Sequence, residues 1–461
     1  MIGRRAILVG GTALAVLGAS RTGALPPRDP WTEARSIVRH IQRPRIGKRK
    51  LRLRPPAGGD IRTAILAAMD QLGGTGGTII LPPGEWTSDG PIHFKPRIAL
   101  HVPGGTHLKF SRNPDHYLPL VFTRWEGTEC WNYSPLLYAN GISDIAITGQ
   151  GTIDGQGFAG FFQWRAKQQD SQQLLRKMGA EGVPVGERRF GPGHFLRPGF
   201  VQFVNCQRVL IDGPRFVDST FWMIHPVYCV HVTIRNVRLK SDHLNSDGID
   251  PDSSVNVLIE RCIFDVGDDG VAIKAGRDQD GWRVGRSSSR IVVRDCEYRG
   301  TAGGGFSIGS EMSGGVHDVY VERYRMGDVI HGAYFKSNMD RGGAITDIFI
   351  RDIAIGSAQA AISFTTDYHG YRGGNFPTKF DNVQIERLVC GEARVGLSFV
   401  GAEDAPLGQI VVRDTVIARA NTPLRSRNAP ALSFDRVLTN GVAVLPSPNT
   451  GPDTFSDKLR F

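Results

Sequence analysis

The sequence predicts an all-β solenoid, a parallel β-helix closed at its N-terminal end by one helix. Three observations predict it. A short strand motif recurs along the chain, its spacing varies from one copy to the next, and an amphipathic helix precedes the first copies.

The motif is two apolar residues flanking any residue, then two charged or polar residues, then usually an apolar one. It reads Val232-Thr-Ile-Arg-Asn-Val237, Val257-Leu-Ile-Glu-Arg-Cys262, Ile291-Val-Val-Arg-Asp-Cys296 and Val319-Tyr-Val-Glu-Arg-Tyr324. It continues as Ile348-Phe-Ile-Arg-Asp-Ile353, Val383-Gln-Ile-Glu-Arg-Leu388 and Ile410-Val-Val-Arg-Asp-Thr415, with looser members at Ile145 and Val209. Alternation is a strand signal, and the polar pair marks a bend. Variable spacing around a fixed motif is what loops of different length on one side of a stack produce. Cys262 and Cys296 share a register position with Val237, Ile353 and Leu388, so they are expected inside the ladder rather than in a disulfide.

Before the repeats, Ile61, Ala64, Ile65, Ala68, Met69 and Leu72 fall on one helical face. Asp60 is placed to cap its start, and Gly73-Gly74 to stop it. The stretch from about 158 to 200 breaks the pattern and reads as a long excursion bordering a cleft, with a helix near Asp170–Met178.

The net charge of +10 is concentrated at one end. Residues 1–54 carry 13 Lys and Arg against Asp29 and Glu33, leaving 42 basic and 43 acidic residues in the rest. Overall pI is therefore no argument for a basic cleft or a nucleic-acid partner. Residues 1–24 read as an export signal: Arg4-Arg5 precede a short apolar run, in a twin-arginine-like arrangement. No later segment is apolar enough for stable membrane insertion, and the expected location is periplasmic or extracellular. The expected organisation is signal 1–24, a solvated basic extension 25–54, the β-helix 55–445 as the catalytic domain, and a C-terminal tail 446–461.

Two acidic motifs carry the chemistry. Asn245-Ser-Asp-Gly248 is followed one coil later by Gly267-Asp-Asp-Gly270. Stacking places Asp247 near Asp268 and Asp269, where mutual repulsion raises at least one pKa. One carboxylic acid to protonate a leaving oxygen and one carboxylate to activate water are what glycoside hydrolysis needs. A turn role or a calcium site fits the same residues.

The chain resembles glycoside hydrolase family 28, the polygalacturonases and rhamnogalacturonan hydrolases. The matching segments are Gly149-Gln-Gly-Thr-Ile-Asp-Gly-Gln-Gly157, Phe221-Trp-Met-Ile-His-Pro226, the two acidic motifs, Ile308-Gly-Ser-Glu-Met-Ser-Gly-Gly315 and Phe335-Lys-Ser337. The resemblance implies a right-handed β-helix that hydrolyses a pectic polysaccharide or oligosaccharide with inversion. It implies Asp268 as general acid, Asp247 and Asp269 as water activators, and no metal or other cofactor. Lys336 matches a family lysine that binds the substrate carboxylate, Tyr368 a site-lining tyrosine, and Asn245 and Tyr334 stand at substrate-binding positions. Two departures stand out. A family histidine falls on Gly303 or Gly304, and a family arginine on Tyr334. They imply a kept reaction with a changed leaving-group subsite, one that takes rhamnose or another neutral sugar, and they motivate a second reading, a carbohydrate-binding β-helix with impaired catalysis; a calcium-dependent lyase on the same aspartates is a third. His331 is a candidate replacement for the lost groups, or else a loop histidine. Trp222 is read as a sugar-stacking or packing residue, and Lys274 as facing either substrate or solvent.

Overall fold

The computed structural model describes residues 29–450. The expected signal (1–24) and most of the C-terminal tail lie outside these residues. Within them the chain winds as a parallel β-helix, and the motif positions stack in register. Ile98, Ile145, Val209, Val232, Val257, Ile291, Val319, Ile348, Val383, Ile410 and Leu432 form one continuous interior row. Stacked rungs merge these apolar rows into a single core along the solenoid.

The polar pair after each strand sits at a bend, and its second residue adopts a left-handed backbone in every copy from Asn236 to Arg436. Its charges alternate from rung to rung. The first row runs Asp212, Arg235, Glu260, Arg294, Glu322, Arg351, Glu386, Arg413, Asp435. Ion pairs tie Arg235 to Asp212 (2.9 Å), Arg294 to Glu260 (2.6 Å) and Arg351 to Glu322 (2.6 Å). The neighbouring row alternates too, with Arg323–Asp295 at 2.6 Å and Arg387–Asp352 at 2.7 Å. Stacking that skipped a rung would set like charges against each other at that junction, so the pattern favours the observed stacking order.

Helix α1 (Pro30–His40) and helix α2 (Arg62–Leu72) precede the main stack. α2 buries Ile65, Ala68, Met69 and Leu72 in the open end of the core, as the periodicity predicts. Its N-cap position is Ile61, but the Asp60 carboxylate still accepts the Arg62 N–H at 3.0 Å. The solvated extension expected over 25–54 is not what the described part of that segment shows. α1 lies on the flank of the helix, burying Trp31, Ala34 and Ile37 against Leu258, Val292 and Tyr320. Lys50–Arg52 then pairs with Thr78–Ile80, so the sheet begins before residue 55. The physical reason is an outward-facing apolar row, Leu258–Val292–Tyr320–Phe349, which needs a cover.

Arg351 joins both features, pairing with Glu322 and stacking 3.7 Å over Trp31. Arg351→Glu is expected to cost about 1–2 kcal/mol, from the lost ion pairs with Glu322 and Asp352, the like charge placed beside Glu322, and one lost cation–π contact. Thermal denaturation at low and high salt checks this, with the deficit shrinking in salt.

All six cysteines are free and buried. Cys262 and Cys296 stand in the row that continues through Tyr324, Ile353 and Leu388, as their register predicts.

Candidate active site

The site lies on the face whose strands include Val201–Val204, Ile224–Val227 and Gly304–Gly309. Register bridges join Ile224, Ile249 and Val271, and Val271 pairs with Phe306. Counting back two residues on each rung aligns Trp222, Asp247, Asp269 and Gly304, and Gly304 pairs with His331. The rung partner of Asp247 is therefore Asp269, and Asp268 stands one residue to the side. That offset explains their exposures: Asp247 is 3% exposed and Asp269 0%, while Asp268 is half-buried at the pocket wall.

The three carboxylates converge. One oxygen of each lies within 4.8 Å of the others. This is the rung spacing expected from stacking, and it is tighter than the roughly 6.5–9.5 Å separation associated with inverting pairs.

Their surroundings differ. Asp269 accepts the Gly304 N–H at 2.7 Å on one oxygen and the Lys336 ammonium at 2.6 Å on the other. Burial opposes its charge, but Lys336 and then Lys274 outweigh it and hold the carboxyl below its ordinary range. Asp247 is pushed well above that range by burial and then by Asp268. Asp268 is raised by burial and then by Asp269. It accepts N–H groups from Asn245 (3.1 Å) and Asp269 (3.0 Å). The trio thus contains one carboxyl held toward its ionised form beside two held toward their protonated forms, and the three titrate as a unit.

Gly304 accounts for part of the missing histidine. A Cβ there would lie 3.2 Å from Asp269 Oδ1 and collide with Ser307 Oγ. Glycine leaves room for the backbone amide itself to bind the carboxylate. His331 is the next rung up and is not a loop residue. It lies in the long strand Val316–Lys336, is buried, and stacks on Tyr334 at 3.8 Å. Burial lowers its pKa to about 3, so the imidazole is neutral.

The other expected residues also gather here. Lys336 Nζ is 5.2 Å from the Tyr334 ring and 5.3 Å from that of Tyr368, whose hydroxyl burial pushes up to about 12. Asn245 has a left-handed backbone, and its side-chain carbonyl accepts Arg197 at 2.7 Å. Lys274 faces the site: its Nζ lies 3.2 Å from Glu311, 3.7 Å from Asp247 and 3.9 Å from Asp250, and 4.6 Å over Trp222. Trp222 itself is buried, the last of three stacked rings with Trp125 and Phe221, and its edge reaches the pocket.

Several residues of the pocket went unread in the sequence. Glu311, Arg277, Glu126 and Arg176 form a chain of ion pairs along the wall, with Arg176 2.7 Å from Glu126. Glu311 lies in a motif that marks the resemblance, yet nothing in that motif points to its partners. Arg176 belongs to helix α3 (Gln169–Ala180), within the excursion. Together with the hairpin Val121–Trp125/Thr128–Asn132, α3 roofs the groove on the rungs before Asp247. There Gln202 and His225 are buried, and Arg124 pairs with Asp252 at 2.7 Å. The remaining pocket has a volume of about 80 Å³, lined by Asp247, Asp268, Lys274, Lys336 and Tyr368 among others.

Comparison with known proteins agrees with this geometry. The family model described as glycosyl hydrolases family 28 matches residues 192–395. An exopolygalacturonase structure from Thermotoga maritima is 36% identical, covers 90% of this chain and 96% of its own, and superposes with a TM-score of 0.86. A probable polygalacturonase from Vitis vinifera is 24% identical over 85% of this chain and 77% of its own length. An endo-polygalacturonase from Pectobacterium carotovorum is 27% identical over 62% of this chain and 67% of its own. A repeat-built β-helix, carboxylates stacked on adjacent rungs, and relatives matched over nearly the full chain lead to one assignment: this protein is a glycoside hydrolase and belongs to glycoside hydrolase family 28.

Proposed function

We propose that the enzyme hydrolyses galacturonate-containing pectic chains with inversion, removing units from a chain end, and that it acts after export. The observation that carries the reaction is the unequal trio. Asp268, protonated and on the open side, donates to the leaving oxygen. Asp269, ionised and buried, activates water, which Asp247 helps to position by hydrogen bonding. Asp269 is a poor nucleophile, because Lys336 and the Gly304 amide occupy both oxygens. Water attack is the route left to it, despite the short spacing. The same two lysines speak against a calcium-dependent lyase, since Lys274 and Lys336 already stand where a cation would bind Asp247 and Asp269.

The substrate class follows from charge and kinship. Arg176, Lys274, Arg277, Lys336 and Arg341 line the pocket beside Glu126, Asp247, Asp268 and Glu311, five cations to four acids, which leaves room for a sugar that carries a carboxylate. Lys336 has donors to spare beyond Asp269 and can meet that carboxylate, between Tyr334 and Tyr368. The named relatives are polygalacturonases. End-wise action is supported by the hairpin and α3 over the rungs before Trp222, and the similar Thermotoga protein is an exopolygalacturonase. Export rests on the Arg4-Arg5 leader. Among the described residues no helix is long and apolar enough to cross a membrane.

Purified protein incubated with polygalacturonate should release small saturated sugars from the start while viscosity falls slowly. A rapid viscosity drop with mid-sized products would reject end-wise action. No reducing ends from any galacturonate chain would reject the substrate.

A further inference from the structure

The geometry points to a sugar subsite built by the excursion on the cleft rim: Phe158, Phe162 and His243 form a stacking platform for a pyranose unit beyond those flanking the cleaved bond. The inference rests on the hydrolase reading above and adds a residue-level account of how a longer chain is held.

Three rings lie nearly parallel. Phe162 is 4.6 Å from His243 at 28°, Phe158 is 5.5 Å from it at 22°, and the two phenyl rings are 6.4 Å apart at 18°. Phe158 is 59% exposed, and its neighbour Leu244 is also exposed. Single exposed apolar residues are ordinary. An aligned set pinned in place beside a polar cleft is a different matter. One oxygen of Asp218 accepts both His243 Nε2 (2.6 Å) and the Phe158 amide (2.9 Å), fixing the platform from beneath.

The platform is also wired to the acid. Phe162 lies 5.7 Å from the Arg197 guanidinium, whose other aromatic neighbour is Phe221 at 4.8 Å. Arg197 donates to the Leu244 carbonyl (3.2 Å) and the Asn245 side chain (2.7 Å), and the Asn245 amide holds Asp268. Each nitrogen of Arg197 has a partner within the protein and the side chain is buried, which leaves the exposed Phe158 ring as the recognising element. A pyranose presents an apolar C–H face that fits such a surface, with its hydroxyls directed outward.

The test is chain-length dependence. kcat/KM is measured on di-, tri- and tetragalacturonate for wild type, Phe158→Ala and Phe158→Trp. Wild type should gain with length. In Phe158→Ala that gain should shrink about three- to tenfold, the worth of one aromatic contact, through KM and with an unchanged thermal midpoint. Phe158→Trp should restore it. An equal gain in wild type and Phe158→Ala, no gain with length in wild type, or a changed oligomeric state in the variant would each overturn the platform. If wild type cleaves none of these oligomers, the substrate reading fails instead. The platform is then read by saturation-transfer NMR of neutral pectic oligosaccharides on Asp268→Asn, where adding Phe158→Ala must abolish the contact; an unchanged contact would overturn it.

Discussion

Asp268→Asn is expected to lower kcat by about 10²–10⁴-fold, the usual worth of a positioned general acid, with little change in stability at neutral pH. The amide keeps the shape of the side chain but carries no transferable proton. It can accept only one of the two N–H groups that Asp268 now holds. Relief of repulsion with Asp247 and Asp269 offsets that loss. The sign of the pH dependence follows from the shifts. Asp247 and Asp268 both have raised folded-state pKa values. Their native forms keep protons that the unfolded chain releases, so the stability these two groups contribute is fully present below the ordinary aspartate range and is lost as pH climbs through the raised values. Asp268→Asn removes one such term. Its stability relative to wild type should therefore improve as pH rises above the ordinary aspartate range, as measured by denaturant unfolding at several pH values. In activity, Asp269 with its lowered pKa sets the acid limb, and the raised pair sets the alkaline limb. Near-wild-type turnover in Asp268→Asn would remove the proposed acid.

Lys336→Met should be the most damaging substitution for stability, costing about 3–5 kcal/mol, the range for breaking a buried ion pair by removing one partner. Lys336 and Asp269 are both buried and 2.6 Å apart. Without the ammonium, Asp269 keeps only the Gly304 amide and Lys274 against the cost of burial, and its pKa should rise. Two readouts follow: a much lower denaturation midpoint, and an acid limb of kcat/KM moved to higher pH. A Lys336→Met, Asp269→Asn double variant should recover much of the stability while staying inactive, because no buried charge is then left unpaired. A Lys336→Met protein with unchanged midpoint and unchanged acid limb would show that the pair is not what holds Asp269 ionised.

The architecture was legible because a β-helix writes itself as a local motif. Each coil repeats the same alternation, and stacking needs no partner remote in sequence. The docking of α1 was also legible but went unread: Leu258, Val292, Tyr320 and Phe349 occupy the outward position of four successive motifs, and an apolar outward row calls for a cover. The basic charge of residues 25–54 points the other way, toward a solvated extension. Within the site, Asp247, Asp268 and Asp269 were readable from short motifs one coil apart. Arg197, Arg176 and Glu126 were not. Arg176 and Glu126 reach the pocket, and Arg197 reaches Asn245 behind it, through the excursion and the hairpin, whose paths depend on tertiary packing, as in the contact of Arg197 with Asn245 across 48 positions. The loss of the family histidine looked like lost function in the sequence. In the fold the same change admits the Gly304 amide to Asp269, a backbone contribution that residue identity does not display.

The spacing of the trio leaves the stereochemical course as the sharpest question. The account holds that water, positioned by ionised Asp269, attacks directly while Asp268 protonates the leaving oxygen. Proton NMR of the first product released from a galacturonate oligomer, recorded before mutarotation, reads this step. A new chain end with the opposite anomeric configuration to the bond cleaved is the predicted result. A retained configuration, or an unsaturated product, would contradict it.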